Sequence, residues 1–338
     1  MLNVANADSM LVTRWNVNVP SRILIDGGNS SSATIILEFL KARGIQYLDH
    51  IVCSHPHDDH VGGLPGIVDS PAIDFGRAWI HVPWMHVDYA TLQASLNRGQ
   101  ITAKRVVKII RASVQGAQKF IKTVEERKKP ISEPFEGQDI GFMKVCGPTK
   151  AYYEELLKEF TDFEKLKLFE EEIEAHEQDV LLEDILNKTS FGKELLEAEG
   201  AHLGGAPTEP ENNSSTIMST MFGDDTFLFT ADAGVPALNQ AKEKYALKNL
   251  RWMQIPHHGS RRNITKELIE HFKPQVAFVS AEGSKKHPRI AVINAFKDVG
   301  AKVFSTHYPS PTSKWFHVGT CPDRPGYKSA IPLYDSDK

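Results

Sequence analysis

Two observations in this 338-residue sequence predict an α/β fold. Short apolar runs typical of β-strands alternate with stretches of helical periodicity, and each unusual polar cluster directly follows an apolar run. The composition, with 41% hydrophobic and 24% charged residues, is that of a globular protein that can bury a large core. No window has the ~18 uninterrupted apolar residues of a membrane span, so we predict no association with a membrane.

Net charge and cysteine content argue against two classes of protein, uniformly basic nucleic-acid binders and disulfide-stabilised proteins. The net charge of −4 excludes a uniformly basic nucleic-acid binder, so contact with a polynucleotide would need a local basic patch. Cys53, Cys146 and Cys321 are odd in number and widely separated, which argues against a disulfide framework. The sequence also lacks the basic region and apolar stretch of a signal peptide. These features predict a cytoplasmic location.

The first predicted element is a β-hairpin of residues 10–15 and 22–25, which are separated by a proline-containing turn and end at "DGG". The segment "SSATIILEFLKARG" then predicts a helix that stops at Gly44, because its apolar residues recur at helical spacing. The apolar run "LDHIVCS" predicts a buried strand, and "RAWIHVPW" predicts the next one. Further along, "FEGQDIGFMKVCGPT" predicts two more strands.

Two helical stretches are distinguished by their charge. Residues 104–127 predict a basic amphipathic helix, whose cations either form a solvated face or contact nucleic acid. Residues 150–208 are acidic and strongly helical around "EEIEAHEQDVLLEDIL". We predict that this second stretch is a helical insertion within a single domain spanning residues 1–338. The insertion either docks on the core or provides a surface for a homodimer or a protein partner.

Strand character returns after Gly204 and Gly205. The segments "SSTIMSTMFG" and "DTFLFTAD" predict a hairpin around "GDD". The run "LRWMQIPHHGS" predicts a strand that leads into a histidine pair, and "QVAFVSA" and "AKVFST" predict two strands with a helix between them. Polar clusters at the ends of several strands are the usual position of a functional site in α/β folds.

The densest cluster, "SHPHDDHVGG", has the composition of a metal site. His55 and His57 lie two positions apart, so in an extended loop they can face the same way and hold one ion, while Asp59 and His60 diverge toward a second position. Imidazole and carboxylate are ligands of zinc, and of manganese or iron with poorer discrimination. Asp232 and the pair His257 and His258 follow other strands and can complete the site, although each alone could equally be a cap or turn residue.

These motifs resemble a known family. The series "LIDGG", "HPHDDH", "FTAD" and "PHHGS" resembles the motif series of the metallo-β-lactamase superfamily. With "MLNVANADSMLV", "ENNSS" and "SAEGSKKHPR" added, the chain is similar to the hydrolase domain of the competence protein ComEC and its stand-alone relatives, and more distantly to the phosphorylcholine esterase. The resemblance covers most of the chain except roughly residues 150–208. Superfamily members often have a third histidine on the first metal, for which this sequence offers no match.

The resemblance implies a metallo-β-lactamase fold, an αββα sandwich with the acidic helical insertion added and with two divalent metal ions, zinc or alternatively manganese, in a groove along one edge. It assigns metal binding to His55, His57, Asp59, His60, Asp232 and His257. Asp232 would bridge the ions, and Asp26 would orient a ligand. Catalytic roles would fall to Asp59, His258 and His287, with His258 facing the substrate.

The reaction expected from such a site is hydrolysis. A zinc-class ion lowers the pKa of its bound water to about 7, and two ions can hold the resulting hydroxide in line with a phosphorus atom. Nearby polar and cationic groups favour a phosphodiester, and the substrate-binding candidates are Asn213, Ser260, Arg261 and Lys286.

We therefore predict a metal-dependent phosphodiesterase or nuclease that acts on DNA or RNA. One alternative is a small-molecule hydrolase of the same fold, such as a phosphorylcholine-type esterase, a lactonase or a β-lactamase. The other is a non-catalytic module that assembles with a partner through the acidic helices.

Overall fold

Two β-sheets form the centre of the protein. The computed structural model describes residues 1–5, 7–15, 19–86, 114–160, 203–204, 207–281, 287–306, 316–317 and 328–329. Within these ranges the first sheet contains, in spatial order, β1 (Met10–Trp15), β2 (Pro20–Ile25), β3 (Tyr47–Val52), β4 (Asp74–Trp79) and β5 (Ile131–Ser132).

The second sheet has the spatial order 12-11-10-9-8-7-6. Its strands are β6 (Asp139–Ile140), β7 (Met143–Gly147), β8 (Ile217–Phe222), β9 (Asp225–Phe229), β10 (Trp252–Gln254), β11 (Val276–Val279) and β12 (Lys302–Ser305). A separate parallel pair joins β13 (Phe316–His317) to β14 (Lys328–Ser329).

Helices cover the outer faces of both sheets. The described α-helices are α1 (Ser32–Ala42), α2 (Asp58–Val61), α3 (Leu64–Asp69), α4 (Gln115–Glu126), α5 (Lys150–Phe160), α6 (Pro210–Asn213), α7 (Val235–Lys244), α8 (Lys266–Phe272) and α9 (Ile290–Asp298). Single 3₁₀ turns occur at Pro83–Met85 and His257–Gly259. None of the helices in the described ranges has the length and apolar character needed to cross a lipid bilayer.

The layering follows from the alternation of side chains along each strand. Ile23 and Ile25 pack in a cluster between the two sheets, whereas Leu24 packs with the residues of α1, α3 and α4. On the second sheet, Phe229 joins the inter-sheet cluster and Leu228 packs with α7 and α8. The predicted αββα sandwich is confirmed by this arrangement.

Parallel pairing brings the polar loops to one edge. β2, β3 and β4 are parallel to one another, as are β9, β10, β11 and β12. Carboxyl ends of parallel strands lie at the same edge of a sheet. The loops that follow β2, β3, β9 and β10 therefore meet at one end of the sandwich, and these are the loops that carry the predicted ligands.

Three sequence-based expectations need comment. The strand predicted over "RAWIHVPW" is shorter than expected: it ends at Trp79, and Pro83, which has no N–H for a sheet, starts a 3₁₀ turn four residues later. Residues 115–126 of the predicted basic helix are helical, while residues 104–113 lie outside the described residues. Of the acidic insertion, α5 is described and residues 161–202 are not, so its role and the single-domain organisation stay predictions.

Candidate metal centre

Six side chains from both sheets converge at this edge. They are His55, His57, Asp59, His60, Asp232 and His258. Their candidate ligand atoms form two groups, each with all atoms within 4.8 Å of one another. The first group comprises His55, His57 and Asp232, and the second comprises Asp59, His60, Asp232 and His258. Among the described residues the first group contains no third histidine.

Asp232 belongs to both groups because its two oxygens face different histidines. Oδ1 lies 3.3 Å from His60 Nε2, and Oδ2 lies 3.7 Å from His55 Nε2. The backbone of Asp232 is fixed independently, since Asn263 Nδ2 donates to its carbonyl oxygen at 2.7 Å. This geometry is the one expected of a carboxylate that bridges two ions.

The histidine pair after β10 is divided between two environments. His258 Nδ1 donates to the carbonyl oxygen of Ser280 at 2.6 Å, which leaves Nε2 facing Asp59 Oδ2 at 3.0 Å. His257 instead turns Nδ1 toward Asn263 Oδ1 at 3.0 Å and lies outside both ligand groups. His257 Nε2 still lies 3.7 Å from Asp232 Oδ2, so the choice of His257 as a ligand stays a prediction, although only His258 falls within a ligand group. Both residues have positive φ, 47° and 52°, and a local pattern does not reveal which of two adjacent side chains such a turn directs inward.

Asp26 orients a histidine of each group. Its Oδ2 accepts a hydrogen bond from His60 Nδ1 at 2.9 Å and another from Ser54 Oγ at 2.7 Å. Ser54 Oγ in turn lies 3.1 Å from His55 Nδ1. Asp26 accepts a hydrogen bond from His60 directly, and Ser54 links it to His55. In the neutral rings, these contacts place the protons of both histidines on Nδ1, so that both Nε2 atoms face the centre without a proton.

The donor set fits divalent metal ions. In the part of the chain that the structure describes, His55 Nε2, His60 Nε2 and Asp232 Oδ1 are buried and have no hydrogen-bond partner. Leaving one buried polar atom unpaired costs about 1–3 kcal/mol. His55 Nε2 belongs to the first ligand group, His60 Nε2 to the second and Asp232 to both, so these unpaired atoms are candidate ligands for cations at two positions, and the mixture of imidazole and carboxylate suits zinc-class ions.

The charges of the centre support the same conclusion. Burial alone would raise the pKa values of Asp59 and Asp232, but His60 and the neighbouring histidines outweigh it and lower both. Burial would lower the pKa of His60, yet the surrounding carboxylates raise it well above its usual value. Burial likewise opposes protonation of His258, but Asp59 raises its pKa to about 9. The buried carboxylates thus stabilise positive charge among the candidate ligands, and a bound metal ion would supply that charge.

All but one of the residues predicted to face the substrate lie in the described part of the chain. His287 is buried beside the histidine pair, with its ring centroid 5.6 Å from that of His257. Ser260 is buried directly after the 3₁₀ turn, and Arg261 follows it. Asn213 is also buried, at the end of α6. Lys286 lies outside the described residues.

Two residues near the centre are absent from the sequence-based predictions. Asn263 holds both the Asp232 backbone and the His257 ring. Asp8, in "NVANADS", is buried and accepts a hydrogen bond from Gln254. A third ligand-like group, more exposed than the others, places Glu209 Oε2 3.6 Å from His57 Nε2. Asp8 lies in the stretch "MLNVANADSMLV" that carries part of the family resemblance, but no spacing along the chain indicates that any of these residues meets the centre, because each reaches it only through the fold.

The two-sheet sandwich carries at one edge a cluster of His and Asp side chains that could hold metal ions, as in a metal-dependent hydrolase. A family model described as "Metallo-beta-lactamase superfamily" matches residues 17–283, and the chain belongs to that superfamily. Among solved structures, one titled "Crystal structure of hydrolase AbOPH in beta lactamase superfamily" aligns at 15% identity and a TM-score of 0.33, over 93% of this chain and 76% of that chain. No curated protein matches the sequence. The predicted closeness to the ComEC-type domain and to the phosphorylcholine esterase stays a prediction.

Proposed function

We propose that the protein is a phosphodiesterase that acts on nucleic acid with two divalent metal ions, zinc or manganese. His55, His57 and Asp232 would hold one ion, and Asp59, His60, Asp232 and His258 the other. Bound ions of this class provide a nucleophile from water at neutral pH and offset the charge that develops on the scissile group. The observation that carries the proposal is the division of the two Asp232 oxygens between two histidine sets.

The protein's own residues supply orientation and proton transfer. Asp26 keeps the Nδ1 atoms of the ligand histidines engaged. His257, held by Asn263, and His287 stand beside the ligand groups without belonging to them. They are therefore placed to bind a phosphate oxygen or to protonate a leaving group. We assign Asp59 to the second ion, and Asn213 and Ser260 to the substrate side.

Cationic side chains favour a phosphate over a carbonyl substrate. Arg261 and Arg262 follow Ser260, the first residue after the 3₁₀ turn that carries the histidine pair. Arg289 N donates to the carbonyl oxygen of Gly259 at 3.0 Å, so the loop with His287 and Arg289 abuts the same turn. Guanidinium groups bind phosphate oxygens with two parallel hydrogen bonds.

The direct test compares substrates under defined metal conditions. Purified protein would be incubated with single- and double-stranded DNA, RNA, bis-p-nitrophenyl phosphate and nitrocefin, each with Zn²⁺, with Mn²⁺ and with a chelator. We expect cleavage of phosphodiesters that requires metal and stops on chelation. Turnover of nitrocefin alone would refute the phosphodiester assignment, and full metal loading without any turnover would favour a non-catalytic binding module.

Replacement of Arg261 tests the phosphate contact. Arg261→Gln should raise the KM for a polynucleotide and reduce the salt dependence of log KM by about one unit of slope, because one phosphate contact is lost. Arg14→Gln is the matched control, since Arg14 pairs with Ser21 at the end of β2 opposite to Asp26. An unchanged salt slope in Arg261→Gln would contradict the contact.

Replacing each of the two histidines after β10 should have a different effect on metal binding. We expect His258→Gln to weaken one of two metal-binding events by at least about 100-fold, because a ligand is lost. His257→Gln should keep both events and lose turnover. Equilibrium dialysis against Zn²⁺ with elemental analysis measures the first quantity, and kcat measures the second. The opposite pattern would restore His257 as the ligand.

A cavity favours the second candidate function, a small-molecule hydrolase. Its volume is about 1020 Å³, and Trp79, Trp84 and Phe135 contribute aromatic walls. Phe135 packs on His81 with ring centroids 4.7 Å apart. His81 Nε2 lies 3.4 Å from Thr216 Oγ1.

Two side chains, those of His81 and Thr216, lie between the Phe135 wall of this cavity and the loop that carries His55. Thr216 Oγ1 donates to the carbonyl oxygen of Ser54, the residue that precedes His55. Cavities of this size and partly apolar lining commonly bind small ligands. Small-ester or nitrocefin turnover that exceeds phosphodiester turnover in the comparison above would support this candidate.

A further inference from the structure

Residues 7–9 are attached to the loops of the first sheet that carry the candidate ligands. All three are buried. Asp8 N donates to the carbonyl oxygen of Asp59 at 3.0 Å. Ser9 Oγ donates to the carbonyl oxygen of Asp26 at 3.0 Å. The segment is therefore fixed to the histidine loop and to the loop of the orienting carboxylate.

The side chain of Asp8 reaches across to the second sheet. Its Oδ2 accepts a hydrogen bond from Gln254 Nε2 at 2.6 Å, and both side chains are almost fully buried. Gln254 Oε1 accepts from the backbone N–H groups of Thr230 at 3.1 Å and Ala231 at 2.9 Å. The chain of hydrogen bonds therefore ends at Ala231, the residue directly before the candidate bridging ligand Asp232.

A second link runs parallel to the first. Ser280 Oγ donates to the carbonyl oxygen of Ala7 at 2.6 Å, and the carbonyl oxygen of Ser280 accepts from His258 Nδ1 at 2.6 Å. The same three-residue segment is thus connected to both ligands that the second sheet supplies.

We propose that Asp8 is a positioning residue that, through Gln254, sets the Asp232 loop against the histidine loop at the spacing that two metal ions require. Asp8 belongs to neither ligand group. Its oxygens lie 3.9 Å from His258 Nδ1 and 4.0 Å from His60 Nδ1, and both nitrogens already donate to other acceptors. It therefore acts through its neighbours. This inference rests on the proposed two-metal centre.

Three substitutions separate position from charge. Asp8→Asn keeps an oxygen that accepts from Gln254 but removes the negative charge. Asp8→Ala and Gln254→Met remove the hydrogen bond. We expect about 10- to 100-fold weaker metal binding in Asp8→Ala and Gln254→Met, the size found when residues that support metal ligands are lost. Asp8→Asn should remain within about threefold of the wild type, because the conservative variant retains the link.

Metal affinity is the decisive readout, measured by titrating Co²⁺ into metal-free protein and following its visible absorption, with calorimetry as a second measurement. Thr220→Val is the matched control, since the buried Thr220 also donates a hydrogen bond, to the carbonyl oxygen of the less buried Phe142 at 2.9 Å, on a strand away from the centre. It should bind Co²⁺ as the wild type does. Thermal unfolding of the metal-free variants shows whether each one folds.

Wild-type affinity in Asp8→Ala and Gln254→Met would overturn the proposal. So would an Asp8→Asn protein that binds as weakly as Asp8→Ala, because charge would then matter instead of position, and so would an Asp8→Asn protein that does not fold. A wild-type protein that binds two ions but cleaves no phosphodiester would refute the proposed function and leave this inference standing. A wild-type protein that binds no ion would refute both.

Discussion

Asp232→Asn is expected to reduce kcat/KM for bis-p-nitrophenyl phosphate by at least about 10³-fold, which corresponds to about 4 kcal/mol of transition-state stabilisation. The reason is that the two oxygens face His60 and His55 separately, so an amide nitrogen in either position removes a ligand from one group. Elemental analysis should also show fewer ions per chain.

The fold should survive this change. The backbone of Asp232 stays fixed, because Asn263 Nδ2 donates to its carbonyl oxygen and its own N–H donates to Ser215 Oγ at 3.3 Å. The control is Asp225→Asn, at the start of β9, where the carboxylate is half-exposed and 3.7 Å from Arg251 Nε. Exposed ion pairs contribute little, so this variant should keep full activity. Normal turnover and two bound ions in Asp232→Asn would show that the bridge is misassigned.

Gly63→Ala is expected to destabilise the metal-free protein by about 3 kcal/mol, at the upper end of the usual cost of overpacking. A Cβ atom at this position would overlap the carbonyl oxygen of Gly27 and would stand 2.9 Å from that of Asn29. Both obstacles are backbone atoms, which cannot move away as a flexible side chain would. The two loops are also tied by Gly63 N, which donates to the carbonyl oxygen of Gly28 at 2.9 Å.

The comparison with a second glycine isolates the steric cause. Gly63 has a φ of −82°, which alanine adopts readily, so only the overlap penalises the change. Gly44 has a φ of 63° and open space around it. Gly44→Ala should therefore cost roughly 1 kcal/mol from backbone strain alone. Urea unfolding of the three metal-free proteins measures both differences. A cost in Gly63→Ala no greater than that in Gly44→Ala would mean that the loops separate easily.

Another contact between the same two loops positions the carboxylate of Asp26. Gly27 N donates to the carbonyl oxygen of His60 at 2.7 Å, so the loop after β2 is attached to the loop after β3. Any change that separates the loops would also move Asp26 away from His60, to which it is hydrogen-bonded. We therefore expect that metal affinity falls together with stability in Gly63→Ala.

Local features of the sequence predicted the strands and the clusters at their ends. The hairpin of β1 and β2, the strand before His55 and the strand before Asp232 each depend on alternation and turn residues within about ten positions. The length of β4 was predicted wrongly, because the apolar run continues to Pro83 and beyond but the sheet does not.

By itself, the sequence predicted the α/β class from strand and helix periodicity and the types of the candidate ligands from the "HPHDDH" loop, because both are encoded in neighbouring residues, whereas the αββα sandwich was implied by the family resemblance. Only the tertiary structure decided which atoms meet. The hydrogen bond between His258 and Ser280 depends on a left-handed turn, and the contact of Asp8 with Gln254 joins residues 246 positions apart. Contacts of this kind arise when loops from two sheets are packed together, and no spacing along the chain records them.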